Sequence, residues 1–131
     1  MDKIAQLTNE DQNPFGNIIY AYTWDDAVED GTFVEITGIA KEYGFSIPVA
    51  VTSNVFARIL KHENGILSNN YAAEMLLNLH TAILESGAQT SFVSFNMTNH
   101  WNDVLTLWAS VEARSPQNPE PVLTIMLPSE R

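Results

Sequence analysis

The C-terminal third of the chain alternates apolar and polar residues with the period of two that is typical of half-buried β-strands. Three such segments, 90–97, 104–113 and 122–127, are separated by short polar stretches. They predict an antiparallel meander with one face against a core. The buried face is expected to carry the odd-numbered apolar residues Val93, Phe95, Leu105, Leu107, Leu123, Ile125 and Leu127.

Before the meander, the apolar spacing becomes helical. An i, i+3, i+4 stripe predicts a buried helix over 71–85, capped by Asn70, and a similar stripe predicts a helix over 53–64, capped by Thr52. The remaining predicted elements are short. Helices are predicted over 24–29, capped by Thr23 and ended by Gly31, and over 38–43, capped by Thr37. Strands are predicted over 33–36 and 45–51, with Pro48 at an edge or a bulge.

Helices followed by strands predict an α+β fold, with the helices packed on one face of a C-terminal three-stranded antiparallel meander. The predicted organisation is a mobile N-terminal arm (1–16), a single domain (17–128) and a frayed tail (129–131). In this register the opposite face of the meander is less polar than a free surface needs, because it carries Phe92, Trp108, Val122 and Met126. We expect the segment 15–22 to cover that face, and a homodimer interface is the alternative.

The composition of the chain argues against several classes of function. The chain has 131 residues, 45% of them hydrophobic, and no cysteine, which excludes disulfides and thiolate zinc sites. It contains no apolar run of membrane-spanning length and no secretory signal, so a cytoplasmic protein without a membrane partner is expected. A net charge of −10 and a pI near 4.4 argue against direct contact with nucleic acid.

The acidic residues concentrate near the N-terminus. Residues 1–35 hold eight of the sixteen acids and one lysine, a net charge of −7. The predicted partner-binding residues are Asp25, Asp26, Glu29, Asp30 and Glu35. Like charges at i and i+4 destabilise a helix, so their presence favours a contact surface for a basic protein, including one that normally holds nucleic acid. The alternative is a solvated face that only improves solubility.

The sequence contains no recognisable catalytic or cofactor motif, and none of its residues is predicted to be catalytic or to bind a metal or cofactor. The histidines, His62, His80 and His100, fall on different elements without metal-ligand spacing. A small enzyme or toxin-like domain, with a polar site at the helix–sheet cleft, remains the alternative function. Such an enzyme would be sensitive to substitution of His80 or Tyr43, whereas a binding protein would be sensitive to charge reversal at Asp25 and Asp26.

Two blocks of sequence resemble a family of small proteins of unknown function that plasmids, prophages and other mobile elements carry. The first block is 22–56, with Asp30-Gly31, Phe33-Val34-Glu35-Ile36, Tyr43-Gly44-Phe45 and 48–52; the second is 121–128. Segments 66–70 and 99–103 have no counterpart. The resemblance implies a mobile-element accessory protein in a bacterial cytoplasm and supplies no catalytic residues. In that setting, the acidic surface suggests inhibition of a host defence nuclease or another nucleic-acid-binding protein.

Overall fold

The computed structural model describes residues 22–61, 68–87, 91–99 and 101–130. The predicted arm, 1–16, and residues 17–21 lie outside these ranges. In chain order the elements are α1 (Trp24–Asp30), β1 (Phe33–Glu35), α2 (Thr37–Lys41), β2 (Val49–Thr52), α3 (Ser53–Val55) continued by a π-helical turn (Phe56–Leu60), α4 (Asn69–Ser86), β3 (Phe92–Thr98), β4 (Val104–Ala113), β5 (Pro121–Met126) and a 3₁₀ turn (Pro128–Glu130).

The strands form one mixed sheet of five strands in the order β1-β2-β5-β4-β3. Strands β3, β4 and β5 pair antiparallel as predicted. Strand β2 pairs antiparallel with β1 but parallel with β5, so that Val49 lies opposite Leu123 and Val51 opposite Ile125. The predicted fold class, a three-stranded antiparallel meander at the C-terminus, is therefore wrong, because the meander is only part of a larger mixed sheet.

Strand β2 shows why its place in the sheet was missed although a strand was predicted here. All four of its residues are buried, so the sequence Val49-Ala50-Val51-Thr52 has no polar alternation to indicate how this strand pairs with the others. The prediction placed the strand at 45–51 with Pro48 at an edge or a bulge. The strand instead lies inside the sheet and Pro48 comes just before it, where its carbonyl accepts a hydrogen bond from the Leu123 amide at 2.9 Å.

The main core lies on the face that the odd-numbered residues were predicted to form. Phe95, Leu107, Leu123, Ile125 and Leu127 are buried against α2, α3 and α4, and Val93 and Leu105 pack at the margin of the same cluster. The register of the three C-terminal strands is confirmed.

Helix α1 packs on the opposite face. Its Trp24 is buried against Ala50 and Val122, with Val28 and Phe33 beside them. These sheet residues alternate with those that face the main core. The expectation that all helices pack on one face is therefore wrong, because α1 packs on this opposite, outer face against residues of β1, β2 and β5.

Several predicted boundaries change because other residues supply the caps. Thr52 caps α3 as predicted, accepting a hydrogen bond from the Val55 amide, but the π-helical turn ends at Leu60 rather than at Asn64. Ser68, not Asn70, caps α4, and Thr37 lies inside α2 rather than capping it.

The tail was predicted to fray from Ser129, but the 3₁₀ turn is anchored. The Glu130 carboxylate accepts hydrogen bonds from the Thr52 hydroxyl at 2.7 Å, the Asn54 amide at 3.0 Å and the Leu127 backbone amide at 2.8 Å. Residue 131 lies outside the described residues.

Candidate protein interface

Helix α1 begins with a capping box that uses one of the predicted interface acids. The Thr23 hydroxyl accepts a hydrogen bond from the Asp26 amide at 3.1 Å, and the Asp26 carboxylate accepts one from the Thr23 amide at 3.0 Å. Gly31 ends the helix at a φ of 87°, a left-handed conformation that favours glycine. The predicted helix and both of its ends are confirmed, and Asp26 has a structural role in them.

Asp25 faces the sheet, where Arg114 meets it at the end of β4. The Arg114 guanidinium donates to both Asp25 oxygens, at 2.8–3.1 Å, and to Glu120 at 2.9 Å. It also lies over the Trp24 ring, 5.2 Å from the centroid, and the Trp24 indole N–H donates to the Thr124 hydroxyl at 3.1 Å. These contacts fasten α1 to the β4–β5 hairpin. We call Arg114 with its two carboxylates and Trp24 the arginine clamp.

The contacts within the clamp shift the pKa values of Asp25 and Arg114. The hydrogen bonds from Arg114 lower the pKa of Asp25, and the same bonds raise the pKa of Arg114 itself. The Asp25 side chain is 57% exposed, so water screens the pair and its energy is modest, about 1 kcal/mol or less. Its main effect is to fix the orientation of α1, because the planar guanidinium binds a carboxylate in a defined geometry.

Asp30, at the far end of α1, accepts hydrogen bonds from the Tyr22 hydroxyl and from the Thr32 amide. Donation from Tyr22 lowers the pKa of Asp30, and the same contact raises the pKa of Tyr22. Like Asp25 and Asp26, this carboxylate stabilises the local fold as well as adding negative charge.

Glu29 and Glu35 are the remaining predicted interface residues, and both are exposed. Glu35 ends β1 and accepts a hydrogen bond from the Thr37 hydroxyl at 2.6 Å. Glu29 accepts no hydrogen bond from the described residues. The structure therefore brings four of the five predicted acids together on α1, places Glu35 on the following strand, and leaves Glu29 without a structural task in the described part of the chain.

A cavity of about 240 Å³, which was not predicted, lies between α1 and the outer face of the sheet. Trp24, Phe33, Val122 and Met126 form apolar walls. The polar lining includes Tyr22, Ser110, Glu112, Arg114 and Thr124. These residues come from three separate parts of the chain and meet only because β4 and β5 pair beneath α1. Alternation predicts the orientation of Ser110 and Val122, but it cannot predict that a helix covers them.

The described residues that line the cavity do not include a serine paired with a histidine base. Its Ser110 hydroxyl donates to Glu112 at 3.4 Å, a long hydrogen bond, and no histidine is among the described residues that line it. His80 is exposed on α4, where its ring and that of Phe45 are nearly perpendicular, and Tyr43 packs against the main core. Neither residue is among those that line this cavity.

The described residues include no group of three or more acidic or histidine side chains that could hold a metal ion. His62 and His100 lie outside the described ranges. None of the described helices has the length and apolar character needed to cross a membrane.

The predicted apolar outer face is partly covered by α1. Val122 is buried under this helix. Phe92 and Trp108 are half-buried, and their rings pack edge to face with centroids 5.0 Å apart. Of the segment 15–22 that was expected to cover this face, only Tyr22 is described. The choice between intramolecular cover and a homodimer stays a prediction.

No family model, curated protein or solved structure matches the chain.

Proposed function

We propose that the protein is a non-enzymatic binding protein whose acidic surface on α1 contacts a basic surface of another protein. The observation that carries this proposal is the grouping of Asp25, Asp26, Glu29 and Asp30 on two turns of helix, with Arg114 as the only described cation paired to them. Arg114 is itself shared with Glu120. Among the described residues of this surface, the four α1 acids and Glu120 carry five negative charges against the one positive charge of Arg114.

The fold supports this proposal by holding the acids in place. The capping box fixes the first turn of α1, the arginine clamp fixes its orientation on the sheet, and Tyr22 and Thr32 fix Asp30. A charged surface that is ordered before binding loses less conformational entropy when a partner arrives. Complementary charge also speeds the encounter and selects the partner.

The cavity beside α1 adds a feature that a solubilising surface does not need. A long basic side chain of the partner could lay its methylene stem against Trp24 and Met126 while its charge meets Glu112. The alternative enzyme has no comparable support among the described cavity residues.

A basic protein surface of this kind commonly serves to hold a nucleic-acid backbone. We propose that the partner is a host nucleic-acid-binding protein, such as a defence nuclease, and that the acidic surface competes with its nucleic acid. We propose the bacterial cytoplasm as the setting, and the sequence resemblance supports a mobile-element origin.

The test needs a charge reversal that leaves α1 intact. Reversal of Asp25 and Asp26 removes the clamp and the capping box as well as the charge. Glu29→Lys is cleaner, because Glu29 accepts no hydrogen bond from the described residues. Glu42→Lys is the matched control, an equal charge change at the exposed end of α2 on the other side of the sheet.

The experiment is an affinity capture from a bacterial host lysate with the wild-type, Glu29→Lys and Glu42→Lys proteins. A specific partner is retained by the wild type and Glu42→Lys and is lost with Glu29→Lys, and its binding weakens steeply with salt. Addition of the nucleic acid that the partner binds should displace it. Equal capture by all three proteins would contradict the proposed interface.

A further inference from the structure

Strand β3 forms one edge of the sheet. The amide of Val111 bonds to the carbonyl of Ser91, and the amide of Asn99 bonds to the carbonyl of Asp103, at the two ends of the β3–β4 ladder. Facing residues in an antiparallel ladder alternate between bonded and non-bonded pairs. The backbone groups of the odd-numbered residues therefore point to β4, and those of Ser94, Asn96 and Thr98 point away from the sheet.

The described residues make little use of these outward groups. Within the described chain, the one hydrogen bond to them is from the Asn78 side chain to the Asn96 carbonyl, at a long 3.4 Å. An exposed edge strand is a template for another strand, and proteins usually protect it with Lys, Pro or a bulge. Residues 86–102 contain no proline and no Asp, Glu, Lys or Arg, so protection by charge or proline is missing, and β3 pairs with β4 in continuous register without a bulge from Phe92 to Thr98.

A groove of about 270 Å³ runs between this edge and α4. Its lining includes Asn78, Thr81 and Glu85 from α4, and Ser94 and Asn96 from β3. A groove between an edge strand and a helix admits an extended peptide, whose main chain pairs with the strand while alternate side chains face the helix.

Charge decides which occupant fits this groove. Residues 62–113, which include α4, β3 and β4, contain five acids and no lysine or arginine. Glu85 lines the groove, and Glu74 is a further exposed acid on α4. A second copy of the chain would bring the same glutamates against their counterparts, whereas an extended segment carrying lysine or arginine would neutralise them.

We propose that the β3 edge and the adjoining α4 groove bind an extended basic segment of a partner protein by strand addition. The amides of Ser94 and Thr98 donate to the added strand, their carbonyls accept from it, and its basic side chains on the α4 side meet Glu85. This site is separate from the acidic surface on α1 and does not depend on the function proposed for it.

The test uses a defined probe, a capped eight-residue peptide of alternating lysine and threonine, with a glutamate–threonine peptide as the charge control. Amide exchange is measured by NMR on the full chain. The lysine peptide should slow exchange at Ser94, Asn96 and Thr98 by about tenfold at saturation, and the glutamate peptide should not. No protection, or equal protection by both peptides, would overturn the proposal.

Two variants separate strand addition from general charge attraction. Ser94→Pro removes an outward N–H without touching the β4 ladder and should weaken peptide binding about tenfold, whereas Ser94→Ala should not. Should Ser94→Pro fail to fold, Glu85→Lys tests the same site and should also weaken binding. Glu29→Lys and Glu42→Lys should leave it unchanged. The assignment is wrong if these two distant charge reversals weaken peptide binding as much as Glu85→Lys does. It is also wrong if the protein forms a dimer in which the β3 amides are protected without peptide.

Discussion

The two faces of the sheet are held by different kinds of contact. On the core face, Leu107 and Ile125 are fully buried against a continuous layer of apolar side chains from α3 and α4. On the outer face, α1 is held by one buried tryptophan, a hydrogen bond from that tryptophan to Thr124, and the arginine clamp. The core face therefore determines the stability of the domain, and the outer face determines where the charged helix points.

Removing a core side chain has the largest expected effect. Leu107→Ala should lower the free energy of unfolding by about 2–5 kcal/mol, because Leu107 has no exposed surface and its loss leaves a cavity. Urea denaturation measures this change. Leu77→Ala on α4 is the matched control; its side chain is 54% exposed and should cost about 0.5 kcal/mol or less. Similar losses in the free energy of unfolding for both variants would contradict the assignment of Leu107 to the core.

Breaking the arginine clamp should have a smaller effect that is confined to the outer face. Arg114→Gln removes the exposed ion pairs and the contact with the Trp24 ring, for a loss of about 1 kcal/mol. Amide exchange should accelerate in α1 and remain slow in α4. A uniform acceleration in both helices would mean that α1 and the core unfold as one unit, contrary to the comparison.

The sequence predicted the core face better than the outer face for a physical reason. Alternation such as Val93-Ser94-Phe95-Asn96-Met97 reports one buried and one exposed face, so the register of β3 to β5 could be derived. Strands were predicted at 33–36 and 45–51, but β2 is buried on both faces and β1 has only three residues, so no periodic signal indicated that they join the meander and the five-stranded sheet was missed.

The candidate interface was predicted only in part for a related reason. Local signals, Thr23 at one end and Gly31 at the other, were sufficient to predict α1 and its acids. The clamp joins Asp25 to Arg114, which lies 89 residues further along the chain, and no local pattern encodes such a contact. The structural role of Asp25 was missed for this reason. The roles of Asp26 and Asp30 are local, because Thr23 and Asp26 have the spacing of a capping box and Asp30 bonds to Tyr22 and Thr32; they were missed because these acids were considered only as charges.

At acid pH, the free energy of unfolding should depend on pH partly because of the Asp25–Arg114 pair on the outer face. Because Arg114 lowers the pKa of folded Asp25 below its model-peptide value of 3.8, the pair contributes stability that is present above that value. This contribution is lost as the pH falls through the lower, folded pKa. Thermal unfolding at pH values from 6 down to 2 should therefore give a shallower decline in Tm for Asp25→Asn than for the wild type. Glu42→Gln, on the other side of the sheet, serves as the control for simple charge removal; an identical decline in wild type and Asp25→Asn would refute the role of the clamp.

The smallest expected effect on stability is also the most informative about the acidic surface. Glu29 lies four residues after Asp25 and near the negative end of the α1 dipole, where a carboxylate is unfavourable. Glu29→Lys should therefore raise the free energy of unfolding by a few tenths of a kcal/mol, an effect reduced by the pairing of Asp25 with Arg114. Denaturant titration against Glu29→Gln separates the gain due to the new cation from that due to loss of the acid. A gain in stability combined with loss of partner binding would show that the acid serves contact rather than folding. A loss of stability would instead mean that Glu29 stabilises the fold, and the acidic surface would lose the one residue whose charge has no structural explanation.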